Sequence, residues 1–158
     1  MGMGIWFQRA APAELTQLKA VADVDRFAFE SRDSVGFDKL WHGLHFLLTG
    51  TAEETDSPLG IIVCGGEAVG RDYGIGGFWT LSPEEMRAFD DGLRALDDET
   101  LVARYDPAAM CAADVYFAEY FVENGERGLD DLLQSVSGFR RFSASCASAG
   151  DGAVRGMG

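Results

Sequence analysis

One stretch limits what this chain can become more than any other: Phe37 to Gly50, FDKLWHGLHFLLTG. Phe37, Leu40, Trp41, Leu44, Leu47 and Leu48 recur at spacings of three and four, the apolar stripe of a helix that faces a core. Thr49 and Gly50 end it, with Gly50 suited to a left-handed cap. The spacing predicts a central apolar helix over about residues 37–49. A helix this apolar on one side must be covered by the rest of the chain. The two histidines of the sequence, His42 and His45, both lie on it.

What covers that helix has to come from a chain of 158 residues, the size of one domain. Hydrophobic residues make up 47% of it, enough for a core, and no apolar run approaches a membrane span. The opening MGMGIWFQRA has no basic region followed by an apolar one, so no signal peptide is expected. Cys64, Cys111 and Cys146 are odd in number and far apart, which argues against a disulfide framework and a zinc cage. Each reads as a small buried apolar residue in a reduced, cytoplasmic protein. The net charge of -13 repels phosphate backbones and anionic lipid, so neither nucleic acid nor membrane is an expected partner.

Gly4–Arg9 reads as a first strand, and Pro12 opens a helix carrying Glu14, Leu15, Leu18, Val21 and Ala22. Asp23–Val35 has a weak pattern, with Phe27 and Phe29 its large apolar residues, and reads as a loop with at most a helical turn. Leu59–Val63 fits a short helix or a buried strand equally well. Gly65–Gly74 is too glycine-rich for a regular element and reads as an exposed loop, followed by a strand over Ile75–Leu81 with Phe78 and Trp79 on opposite faces. Ser82-Pro83-Glu84-Glu85 is a helix start with a capping box, Asp97 caps a further helix, and Asp106-Pro107 begins another turn. Val115–Val122 reads as a strand or an irregular segment. The spacing from Leu129 to Phe142 is helical. The stretch from Ala147 reads as a mobile, Gly-rich tail, giving one domain over residues 1–146 and a tail over 147–158.

These pieces, in order, resemble a known family. The opening MGMGIWF, then WHGLHFLLTG at Trp41 to Gly50, SPLGIIVCGGE at Ser57 to Glu67, DYGIGGFWTLSPEEM at Asp72 to Met86, ARYDPAAM at Ala103 to Met110 and VY at Val115 are similar to the YfbM-like family of small bacterial proteins of unknown function. The resemblance implies an α+β fold, a small mostly antiparallel sheet packed with several helices. It brings no reaction and no ligand. Two departures stand out: Phe117 stands where relatives often have proline, and the Gly-rich tail stands where they finish with an apolar strand.

The chemical constellations are thin. Asp38, His42 and His45 could align as metal ligands, but the glutamate-bearing spacing of a zincin is absent, and an Asp38–His42 surface pair explains the first two. His45 shares a face with Trp41 and Leu48 and reads first as a structural imidazole. GRDYGIGG has no strand–helix context for a phosphate cradle. The acidic runs Asp90-Asp91, Asp97-Asp98-Glu99 and Asp130-Asp131 read as caps and solvated faces. No catalytic residue, cofactor or metal is assigned. The chain reads as an acidic binding module rather than an enzyme, directed at a basic protein partner in the manner of an immunity or inhibitor protein. The alternative is a small-molecule binder or enzyme with a pocket near Trp41, His45, Tyr73 and Trp79.

Overall fold

The structure, a computed structural model, describes residues 2–72, 74 and 76–158. Along β1 (Ile5–Ala10), Ile5 and Phe7 alternate with Trp6, as a strand with apolar contacts on both faces requires. α1 (Pro12–Leu18) starts at its proline, with Glu14 accepting the Ala11 N–H at 2.9 Å. A 3-10 turn (Val24–Arg26) and the short β2 (Ser34–Gly36) then lead to a second 3-10 turn (Asp38–Leu40) and to α2 (Trp41–Thr49). Next come a third 3-10 turn (Pro58–Gly60), β3 (Glu67–Val69) and β4 (Phe78–Leu81). The helices α3 (Pro83–Arg94), α4 (Asp98–Arg104), α5 (Pro107–Ala112), α6 (Ala118–Asn124) and α7 (Glu126–Ala149) follow, and β5 (Gly152–Met157) completes the sheet.

The sheet runs β2-β1-β5-β4-β3 with every neighbouring pair antiparallel, so the fold is α+β as expected. Side-chain alternation gives it two apolar faces. On one, Phe7, Phe37, Phe89, Phe139 and Phe142 meet beneath α2, α3 and α7, with Phe89 and Phe139 centroids 4.5 Å apart. Aromatic pairs at such distances each add about 0.5–1.5 kcal/mol beyond the area they bury. The other face is smaller: Leu15 and Leu18 of α1 with Val24, Val69 and Val154, edged by Trp6 and Phe78. Among the described residues no helix is long and apolar enough to cross a membrane.

Local expectations hold where a cap or a long stripe defines them. Gly50 closes α2 at φ 78, and Ser82 and Glu85 form the reciprocal capping box of α3, the Glu85 N–H donating to Ser82 Oγ at 3.1 Å. Asp97 and Asp106 cap α4 and α5 with a single bond each, accepting the Thr100 and Ala109 N–H at 2.8 and 3.0 Å. Several expectations are corrected. Phe37 is buried but lies before the helix, which begins at Trp41 after a turn. The loop expected over Asp23–Val35 carries a strand at its end, and Gly65–Gly74 carries β3 at the sheet edge. Leu59–Val63 is neither strand nor α-helix but a 3-10 turn running into further turns. The strand expected from Ile75 starts at Phe78, and Ile75 itself lies outside the described residues.

Val115–Val122 is helical from Ala118, because Phe121 buries between Gly43 of α2 and Gly128 of α7, where an added Cβ would sit 2.5 and 3.0 Å from its ring. The largest correction concerns residues 147–158. Helix α7 runs through the expected boundary to Ala149, and the rest forms the middle strand of the sheet, paired with β1 and β4. It is fixed by pairing on both edges, and Ala153 and Val154 are fully buried. The cysteines also differ from one another: Cys146 is buried, Cys64 half-buried and Cys111 exposed. Burial pushes the Cys146 thiol up to about 12. Asp90 does not face solvent as expected; its carboxylate accepts the Ser143 hydroxyl at 2.8 Å and pairs with Arg94 at 2.8 Å.

Candidate functional site

Of the residues singled out by sequence, Trp41 and His45 are buried and Trp79 is half-buried. Trp41 is nearly buried, stacked on His42 at 4.8 Å, and its indole N–H donates to the Met3 carbonyl at 3.1 Å. His45 is 0% exposed. Its Nε2 bonds the Glu53 carbonyl at 2.9 Å, while Nδ1 has no hydrogen-bond partner. Burial lowers the pKa of this ring; the Glu53 carbonyl works the other way, and neighbouring His42 adds to the lowering. His42 is not paired with Asp38. The Tyr116 N–H donates to its Nδ1 at 2.8 Å and its Nε2 meets the Ala52 carbonyl at 2.9 Å, so the ring ties α2 to two loops. Tyr73 lies outside the described residues. Trp79 borders a cavity, together with residues that the sequence pattern did not suggest.

That cavity is built around a loop. Ser57 accepts the Leu59 N–H at 3.2 Å and starts the turn at Pro58; the Gly60 carbonyl then accepts from Val63 and Cys64 at 3.0 and 2.8 Å. Gly65 and Gly66 follow at φ 76 and 82, a conformation that a side chain resists, and swing the chain into β3. Glu85 holds the turn from below, its Oε1 accepting the Gly66 N–H at 2.9 Å while Oε2 serves the α3 cap.

From the middle of the sheet Arg155 reaches the same loop. Register places Phe7, Arg155, Trp79 and Ala68 in one row across β1, β5, β4 and β3, on the face that α2, α3 and α7 cover. The Arg155 Nη1 donates to the Ile61 and Cys64 carbonyls at 2.5 and 2.6 Å, and Nη2 donates to the Gly65 carbonyl at 3.2 Å. The guanidinium carbon lies 4.8 Å from the Trp79 ring centre, a cation–π contact. Arg155 is 4% exposed, and among the described residues no carboxylate forms an ion pair with it. Burial lowers its pKa to about 10, against the pull of Cys64 and Glu85, so it stays a cation at neutral pH.

The loop separates two adjoining cavities that share Glu54, Cys64 and Gly65. One, of about 580 Å³, is bordered by Glu54, Asp56 and Glu85. The other, of about 540 Å³, is bordered by Val63, Ala68, Trp79, Arg155 and Met157. Cys64 stands between them, its Sγ accepting the Thr55 N–H at 3.3 Å. Sequence reasoning missed Arg155 because it lay in the stretch set aside as a tail. The available signal was one cation inside the otherwise small and apolar run GAVRGM.

A five-stranded antiparallel sheet between helices, with a loop-lined double cleft on its helix-covered side, defines this as an α+β domain of the YfbM type. The chain belongs to the family described as Domain of unknown function (DUF1877), which matches residues 1–155. Among solved structures it is similar to a protein of unknown function, YfbM from Escherichia coli, at 20% identity and a TM-score of 0.74, covering 99% of each chain. No curated protein matches.

Proposed function

We propose that this protein is a binding module rather than an enzyme, and that its acid-bordered cleft receives a basic segment of a protein partner. One observation carries the reading. Glu54 and Asp56 stand at the mouth of the cleft without a cationic partner among the described residues, with Glu85 beside them, on a chain whose charge is -13. Unneutralised carboxylates around a concavity draw a lysine or arginine side chain in and hold it where water is partly excluded. An inhibitor- or immunity-like role, in which the module caps a basic protein, fits that chemistry. A pocket centred on His45 has no such support, since its ring is fully enclosed.

The test is affinity capture from native lysate at low and high salt, followed by the Glu54→Lys/Asp56→Lys double variant against whatever is identified. A basic partner should be released by salt and should bind the variant at least about tenfold more weakly, roughly 1.4 kcal/mol. Partners that are acidic, insensitive to salt, or indifferent to the charge reversal would reject the proposal.

A further inference from the structure

Stapling the loop accounts for three of the five N–H groups of Arg155. It does not account for the charge. A neutral amide donor could bond main-chain carbonyls without the desolvation cost of a buried cation that no ion pair among the described residues offsets. The Nε–H and one Nη2–H have no acceptor among the described residues, and Nε is not among the enclosed, unpartnered atoms. The residue that carries these free donors also lines a cavity of about 540 Å³, within the range of roughly 300–1,000 Å³ typical of small-molecule sites.

We infer that the cavity beside Arg155 binds a small organic carboxylate, held by the Nε–H and free Nη2–H of Arg155 with its hydrocarbon part against Val63, Trp79 and Met157. Donors on adjacent guanidinium nitrogens match the two oxygens of a carboxylate. The apolar wall suits a carbon chain. A phosphate fits less well: it would bring a second negative charge beside Glu54, and no lysine or second arginine borders the cavity to meet it. The carboxylate belongs either to a free small molecule or to the C-terminus of a peptide. The inference does not depend on the acidic cleft next door accepting a protein.

The experiment uses the full chain labelled with ¹⁵N and follows the Arg155 Nε–H and Trp79 indole N–H resonances. Propionate should shift both along a saturating curve, and propionamide, equal in shape but uncharged, should not. Arg155→Lys should weaken propionate at least about tenfold, since an ammonium keeps the charge and loses the paired donors. Because that change also removes bonds to the loop, a second variant leaves Arg155 untouched: Ala68→Trp, on the edge strand, fills the cavity and should abolish the shifts while the melting temperature stays near the parent's. An acetylated tripeptide with a free C-terminus, set against its amide, separates the sources; tighter binding than propionate assigns the carboxylate to a chain terminus, weaker binding to a free molecule. No saturation with either acid up to about 50 mM, equal shifts from propionamide, or unchanged binding by Ala68→Trp would overturn the inference.

Discussion

His45 sits in the core as a neutral ring, and that has a consequence for acid. Its pKa in the folded chain lies below the ordinary 6.5, chiefly through burial. Below that ordinary value the unfolded chain takes up a proton that the folded chain refuses, so the stabilisation is complete above pH 6.5 and is lost as the pH falls towards the folded pKa. Urea midpoints at about pH 7.5 and about pH 5.5 should show the drop, and His45→Gln should shrink it. Gly43 offers a second test on the same helix. A methyl there would stand 2.5 Å from the Phe121 ring, which α6 and α7 hold from behind. Gly43→Ala should therefore destabilise by about 1–3 kcal/mol, read as a lower urea midpoint with little change in slope.

Among the elements, α2, α3 and α4 were legible because their signals are local: a stripe at helical spacing, or a serine or aspartate cap with its partner three residues on. Strand β5 was not legible because its glycines mimic a flexible tail. In the fold those glycines are steric requirements. An added Cβ at Gly156 would overlap the Trp6 indole, and one at Gly152 would overlap the Leu81 carbonyl. Neither contact can be read from nearby sequence, since both partners come from other strands. Gly156→Val should cost about 1–3 kcal/mol by overpacking, although valine is the better strand former. Helix α6 was obscured in a similar way: its aromatic run carries strand propensity, which packing of Phe121 overrides. Of the candidate site, Trp79 was visible as an aromatic within the strand expected over Ile75–Leu81. Arg155 was hidden with β5, and the Glu54–Gly66 wall read as an acidic loop and an ambiguous apolar run.

For the molecule as a whole, the middle position of β5 decides what can be removed. Deleting residues 151–158 takes away the strand between β1 and β4 and leaves β2-β1 and β4-β3 as separate ribbons with no shared ladder. Such a truncation should lose cooperative urea unfolding altogether, which circular dichroism would detect. Charge acts at the same scale. With 26 acidic and 13 basic side chains the native state repels itself, so adding about 0.5 M sodium chloride should raise the urea midpoint of the intact chain.

The pairing of Ile5 with Met157 also sets a timetable for synthesis. During translation β1 emerges first and must wait, unpaired along one edge, until residues 152–157 have left the ribosome. Contacts this distant in sequence slow folding and leave apolar strands such as IWFQRA open to wrong partners in the interval. The native sheet closes only once residues 152–157 have emerged, so the interval between β1 and β5 is the stretch of synthesis over which the nascent chain needs protection.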